Sequence, residues 1–157
     1  MPNVKRILAP TDFSSASLVA VDQAARLARE FGAELVLLYV VPPIPTLPAD
    51  MNYTFQTPDY NDSLQSAAAE KLAELEAEHV PDGIPVRRLI CFGDPAGEIV
   101  KAAQDEHCDW IVISTHGHTG WKHLVFGSVA EKVVRLARCP VLSIRCADDK
   151  KKEKASA

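Results

Sequence analysis

Five short apolar segments, separated by longer amphipathic stretches, constrain the fold of this 157-residue chain more than any other feature. Most of them lack the polar alternation of a strand that has one face in water. Continuous apolar runs of this length are typical of strands covered on both faces. We therefore predict five strands of a sheet buried between two layers, over residues 4–9, 34–41, 86–91, 110–115 and 141–146.

The stretches between these segments repeat apolar residues at helical spacing. Ser14 or Ser15 is a suitable N-cap for the first helix, and Gly32 a suitable stop. Asp94 followed by Pro95 opens the third. Alternating strands and helices predict an α/β domain with a parallel sheet, right-handed crossovers and helices on both faces. The four predicted helices cover residues 15–31, 63–79, 96–106 and 128–137.

Length and composition favour one globular domain, which we place at residues 1–146. The last eleven residues, 147–157, hold four lysines and three acidic residues without apolar periodicity, and we expect a disordered charged tail. The domain itself then carries a charge of −5, so no nucleic-acid partner is expected. No apolar run reaches the ~18 residues of a membrane span, and no signal peptide is apparent, so we expect a cytoplasmic protein without a membrane partner.

Ligands of parallel α/β sheets bind beyond the carboxyl ends of the strands, where the strand order reverses. Two loops in such positions carry unusual residues: 10–15 after the first strand, and 114–128 after the fourth. In the second loop, Gly127 and Ser128 open a helix whose N–H groups attract phosphate. A structural alternative is that Ser128 and Glu131 form a capping box that needs no ligand.

Residues 114–131, followed by 139–142, resemble the signature region of universal stress proteins. That family's nucleotide motif is G-x2-G-x9-G-[S/T], and Gly117 and Gly127-Ser128 occupy its later positions here. Ser114 replaces the first glycine of the motif. Residues 7–14 also resemble the family's first strand and loop, so the likeness extends over roughly residues 4–146.

The resemblance implies a flavodoxin-like sheet of the adenine nucleotide alpha hydrolase type, with strand order 3-2-1-4-5. In one branch of the family it also implies a site for ATP, with or without Mg²⁺. Asp12 would accept a hydrogen bond from the base amino group or from a ribose hydroxyl. Asp12 is also a suitable cap for the first helix. The implied nucleotide-binding residues are Pro10, Thr11, Asp12, Val40, Ser114, His116, Gly117, His118, Gly127, Ser128, Val129 and Ala130.

The implied function is that of a stress-response sensor or regulator which binds ATP, ADP or AMP. The family also pairs through its last strand, so we expect a homodimer through residues 141–145. No P-loop is present, and at most slow ATP hydrolysis is expected. The histidines at 116, 118 and 123 give no indication of a metal site. The alternative is a nucleotide-free stress protein that acts as a dimeric protein-interaction module.

Overall fold

The structure is a computed structural model, and it describes residues 3–43, 58–116 and 127–146. The proposed tail at 147–157 lies outside the described residues. Within these residues, strands and helices alternate along the chain. The elements are β1 (Arg6–Thr11), α1 (Ser15–Phe31), β2 (Glu34–Val41), α2 (Pro58–His79), β3 (Val86–Phe92), α3 (Pro95–Asp105), β4 (Trp110–Ser114), α4 (Ser128–Leu136) and β5 (Val141–Ile144).

The five strands form one sheet in the order β3-β2-β1-β4-β5, and every neighbouring pair is parallel. This confirms the predicted fold class and strand order. The chain runs from β1 outward to β2 and β3 on one side, and then returns to β4 and β5 on the other. The order therefore reverses between β1 and β4, and the loops that follow these two strands lie at the same edge of the sheet.

Two apolar layers cover the sheet, which explains why its strands read as continuous apolar runs. On one face Ile7 packs with Leu72 of α2 and with residues of α1. On the other face Leu8 packs with Ile99 of α3 and Val133 of α4. Ile7 and Leu8 are both completely buried, because successive side chains of a strand point to opposite faces.

The helix ends follow the local signals in most places. Ser14 caps α1 by accepting a hydrogen bond from the N–H of Ser17, and Gly32 closes the helix at φ 65°. Asp94 caps α3 by accepting the N–H of Gly97. Helix α2 begins at Pro58, five residues before the predicted start at 63, since proline is compatible with a first helical turn.

Strand β1 differs from its prediction at both ends, because it begins at Arg6 and continues through Pro10 to Thr11. A proline lacks the N–H that a central strand needs, and the predicted strand therefore ended before it. Strand β4 pairs with β1 only at Ile7 and Leu8, whereas β2 pairs with all six residues. Beyond Leu8, β1 thus has one strand neighbour, and the proline is tolerated there.

The remaining strand ends shift by one or two residues: β3 ends at Phe92, β4 at Ser114 and β5 at Ile144. Among the residues that the structure describes, no helix is both long enough and apolar enough to cross a membrane.

Candidate functional site

A cavity of about 670 Å³ lies at the carboxyl ends of β1, β2 and β4. Its volume is in the range of roughly 300–1,000 Å³ that is usual for ligand pockets. Gly117 and His118, two of the predicted site residues, lie outside the described residues. The cavity is lined by all ten of the others, namely Pro10, Thr11, Asp12, Val40, Ser114, His116, Gly127, Ser128, Val129 and Ala130.

The β1–α1 loop is held by short-range hydrogen bonds around Asp12. One carboxylate oxygen of Asp12 accepts the backbone N–H and the hydroxyl of Ser14. The hydroxyl of Thr11 accepts the N–H of Phe13 and lies 2.9 Å from the hydroxyl of Ser17. Ser14 caps the helix, so the alternative that Asp12 itself is the cap is wrong: its carboxylate orients the cap residue instead.

Phe13 in this loop has a left-handed backbone, with φ 63°, which is rare for a bulky residue. Its ring lies 4.8 Å from that of Tyr39, between centroids, and both residues line the cavity. An aromatic residue held in this conformation depends on such surrounding contacts, and conformations of this kind are common at ligand sites. The pair therefore forms an aromatic wall on the α1–α2 side of the cavity.

At the end of β4, the side chain of Ser114 folds back on its own loop. Its hydroxyl donates a hydrogen bond to the carbonyl oxygen of His116, over 2.9 Å. The hydroxyl of Thr115 lies 2.9 Å from Nδ1 of His116, and the N–H of Thr115 donates to Ile144 of β5. The serine that replaces the first motif glycine is buried, and its hydroxyl has a partner within the protein.

The start of α4 is pressed against the end of β4 at Gly127. The N–H of Gly127 donates to the carbonyl oxygen of Thr115, and a Cβ added to Gly127 would lie only 2.8 Å from that oxygen. Glycine is therefore required by the close approach of two backbones. Its φ of −65° is accessible to any residue, so the requirement does not come from the backbone angle.

The predicted capping box of Ser128 and Glu131 is wrong. Gly127 occupies the N-cap, where it makes no side-chain hydrogen bond, and Ser128 is already the first helical residue. Glu131 pairs with Arg135 at 2.6 Å instead. The first N–H groups of α4 have no partner within the helix, and the helix dipole places partial positive charge there. This arrangement at the cavity wall suits an anion.

Few charged side chains line the cavity. Among the described lining residues, Asp12 is the one carboxylate and Lys71 of α2 the one lysine or arginine. Nowhere in the described residues do three or more His, Cys, Asp or Glu side chains cluster as a metal site would require. Apolar side chains such as Val40, Ile99 and Ile113 line much of the remainder.

Comparison with known proteins decides the family, because residues 3–145 match the model of the universal stress protein family. The chain belongs to the universal stress protein family. Universal stress protein MJ0531 of Methanocaldococcus jannaschii is 36% identical over 143 residues, which are 90% of this chain and 82% of that relative.

The solved structures agree with this assignment. The structure of MJ0577, a second universal stress protein of M. jannaschii, has a TM-score of 0.78 at 29% identity and covers 94% of this chain and 99% of its own. A universal stress protein in complex with cAMP shares the fold at 21% identity, with a TM-score of 0.64 and coverage of 91% and 98%. One from Archaeoglobus fulgidus in complex with dAMP does so at 19% identity, with a TM-score of 0.60 and coverage of 92% and 99%.

Ten lining residues are absent from the predicted site, and the aromatic and basic side chains among them are Phe13, Tyr39 and Lys71. Phe13 directly follows a predicted site residue and Tyr39 directly precedes another, so their proximity was readable. Their contact was not, because it depends on the left-handed turn at Phe13. Lys71 had no local signal at all, since only the packing of α2 against the sheet brings it to the cavity.

Proposed function

We propose that this universal stress protein binds an adenine nucleotide, ATP above all, in the cavity at the β1–β4 edge and acts as a cytoplasmic stress-response sensor or regulator. The observation that carries the proposal is the joint placement of Asp12 and the start of α4 on one cavity. One cavity thereby carries a hydrogen-bond acceptor that suits a nucleoside and a donor site that suits phosphate.

The nucleoside would lie against the β1–α1 loop and the end of β2. Val40 and Ile113 offer apolar surface to a base, while Pro10 and Thr11 border the same region. The Asp12 carboxylate would accept a hydrogen bond from the exocyclic amino group of adenine or from a ribose hydroxyl. Its hydrogen bonds to Ser14 hold it in place before any ligand arrives, which lowers the ordering cost of binding.

The phosphates would lie on the loop after β4 and on the N–H groups of Ser128, Val129 and Ala130. Ser128 is the first residue of α4, so its hydroxyl is not used as a cap, and the residue lines the same cavity. Gly127 allows α4 to approach β4 closely enough for this arrangement. Gly117 and His118 are part of the same proposal as neighbours of the phosphates.

The family comparison supports this proposal at the level of the fold. The proteins solved with cAMP and with dAMP are nucleotide complexes of the same fold, although both are under 25% identical to this chain. The specific support comes from the residues of this chain. Ser114, the departure from the family motif, keeps its hydroxyl on the carbonyl of His116 and still lines a cavity of ligand size.

The nucleotide-free alternative, a dimeric interaction module, rests on the same serine. It would hold if the added Cβ and hydroxyl of Ser114 prevented close approach of a ligand. Catalysis beyond slow hydrolysis is not proposed, since Asp12 is the one carboxylate among the described lining residues, and no pair is placed to activate water.

We further propose a homodimer through β5 and residue 145. β5 lies at the edge of the sheet, and Leu142 is 40% exposed there. Val134 and Leu136 of α4 are exposed as well. Unpaired strand edges with apolar side chains favour association. Size-exclusion chromatography with light scattering should give twice the chain mass of 17.1 kDa, and a monomer would contradict this part of the proposal.

The test of nucleotide binding is a thermal melt of nucleotide-stripped protein with increasing Mg-ATP or Mg-GTP. ATP at ~100 times its Kd should add about 2.7 kcal/mol to the free energy of unfolding. GTP should add much less, because its O6 accepts hydrogen bonds and would face the acceptor Asp12. The absence of any shift at millimolar ATP would contradict the proposal.

An Asp12→Asn variant then tests whether residue 12 contacts the base or the ribose of the bound nucleotide. Its side-chain oxygen can still accept the N–H of Ser14, so the loop should keep its conformation, while the added NH₂ group suits O6 of GTP. If Asp12 contacts the base, ATP affinity should fall about tenfold and the preference should shift toward GTP. An equal loss for both nucleotides would place Asp12 at the ribose instead.

A further inference from the structure

Lys71 lies in the middle of α2 and lines the cavity from the α1–α2 side of the sheet. Its Nζ is 5.6 Å from the centroid of the Phe13 ring, within the range of a cation–π contact. The start of α4 packs on the opposite face, where Ala130 and Val133 join the second apolar layer. The two positive features of the site therefore flank its ligand space from opposite sides.

The charge of Lys71 is unusual for its surroundings. Helix α2 contains six Asp or Glu residues and, apart from its last residue, His79, this one basic side chain. Ion pairs elsewhere on α2 use Glu76 with Arg88 and His79 with Asp22. Within the described residues, no carboxylate lies within ion-pair distance of Lys71.

The aromatic pair of Phe13 and Tyr39 positions the side chain of Lys71. Phe13 is held by its left-handed backbone and by the ring of Tyr39, so the surface on which Lys71 rests is fixed by the β1–α1 loop. A cation over an aromatic face keeps its N–H groups available to a second partner. Lys71 is an exposed residue that also lines the cavity, so a ligand bound there can be that partner.

We propose that Lys71 is a phosphate-binding residue of this site, which contacts the phosphate chain of the bound nucleotide across the cavity from α4. This inference rests on the proposed function. A helix N-terminus supplies only about half a positive charge, and a triphosphate carries several negative charges. Lys71 supplies one full charge, so it should favour ligands that have phosphates over the bare nucleoside.

The experiment compares wild type with Lys71→Met, which keeps an unbranched side chain but removes the charge, and with Lys71→Arg, which restores the charge. Lys5→Met is the matched control, because Lys5 is an exposed lysine before β1, at the opposite end of the sheet, and its hydrogen bond to Asp109 uses the backbone N–H. Calorimetric titrations measure the Kd of Mg-ATP, adenosine and inorganic tripolyphosphate for each protein.

Lys71→Met should weaken ATP and tripolyphosphate about fivefold, the effect of one partly exposed charge pair, and leave adenosine unchanged. Lys71→Arg should restore most of the ATP affinity, and Lys5→Met should have no effect. Added salt should weaken ATP binding to wild type more steeply than to Lys71→Met, since a charge contact has been removed.

Equal losses for ATP and adenosine would overturn the inference, because Lys71 would then act only by supporting Phe13. Unchanged ATP affinity in Lys71→Met would overturn it as well, while the proposed function would stand. Wild-type protein that binds neither ATP nor adenosine would overturn the proposed function, and the role of Lys71 with it.

Discussion

The two ends of the central sheet use charged residues in opposite ways. At the amino ends of the strands, oppositely charged side chains pair with one another. Glu34 accepts hydrogen bonds from Arg6 at 2.6 Å and from Arg87 at 3.2 Å. Arg87 also pairs with Glu106, and Asp109 accepts the backbone N–H of Arg6. These contacts link β1, β2, β3 and the turn before β4, so this end is built for stability.

At the carboxyl ends the charges face a cavity. Asp12 and Lys71 both line it, and the start of α4 adds partial positive charge to the same space. The close contact of Gly127 with Thr115 gives this end its shape. One sheet therefore separates a closed ionic cluster from a largely apolar cavity with two charged side chains, and changes at the two ends should have separable effects on folding and on binding.

The largest effect should follow from Gly127→Val. Its Cβ would lie 2.8 Å from the carbonyl oxygen of Thr115, a backbone atom that cannot move without shifting β4 or α4. We expect a loss of about 1–3 kcal/mol in the free energy of unfolding and at least a tenfold loss in ATP affinity, since the phosphate donors move with α4. Urea denaturation and ATP titration measure the two effects.

Gly97→Ala is the matched control for this change. The added Cβ would meet nothing closer than a carboxylate oxygen of Asp94 at 3.5 Å, which is an ordinary contact. Alanine also has a higher helix propensity than glycine. Stability should stay the same or rise, and ATP affinity should not change. Normal ATP binding by Gly127→Val would contradict the role given to the start of α4.

A smaller effect, confined to stability, should follow from Glu34→Gln at the amino end. The hydrogen bond from Arg6, followed by the interactions with Arg87, lowers the pKa of the Glu34 carboxyl below its ordinary value. Loss of the ion pairs of Glu34 with Arg6 and Arg87 should lower the free energy of unfolding by about 1 kcal/mol at pH 7, because these contacts are only partly buried. ATP affinity should be unchanged, and a parallel loss of binding would break the separation between the two ends.

The Glu34 carboxyl also makes the free energy of unfolding depend on pH in the acid range. The unfolded chain binds a proton at a higher pH than folded Glu34 does, so the contribution of Glu34 is fully present above its ordinary pKa and is lost as the pH falls through the lower folded value. Urea denaturation between pH 6 and pH 3 should show a smaller loss of stability in Glu34→Gln than in wild type.

The smallest effect concerns Cys108, also at the amino end, whose burial raises the pKa of its thiol to about 12 from an ordinary value of 9.0. Above pH 9 the unfolded chain loses this proton while the folded protein keeps it, so stability falls as the pH rises toward 12. At pH 9.5 the loss should be at most about 1 kcal/mol.

Cys108→Ala should reduce this loss, as measured by urea denaturation at pH 7.5 and pH 9.5. The cost of the missing sulfur is the same at both pH values and cancels in the difference. Part of the slope should remain, because burial also raises the pKa of the Cys91 and Cys139 thiols. An identical pH slope in wild type and variant would contradict the burial of a neutral thiol at 108.

The fold was predictable because its signals are local or periodic. The apolar runs predicted the strands, and Ser14, Gly32 and Asp94 marked helix ends where the structure has them. Pro10 led to a wrong prediction for the end of β1. A proline is tolerated in this strand because β4 pairs with β1 only up to Leu8, and the sequence does not show how far that pairing extends.

The lining of the candidate site was predictable only where the family resemblance extends to it. All of its described positions converge on one cavity. Ser128 was open to interpretation as a cap, because sequence alone does not show that Gly127 abuts Thr115 and takes the cap position. Lys71 was missed because its place at the cavity depends on how α2 packs, and no pattern within that helix records it.

The most direct test of the site is equilibrium dialysis of nucleotide-stripped protein against radiolabelled ATP, with unlabelled AMP and GTP as competitors. We expect saturable binding of one ATP per chain, displaced by AMP and only weakly by GTP. Absence of saturable binding, or equal displacement by GTP and AMP, would contradict an adenine-nucleotide site at the carboxyl end of the sheet.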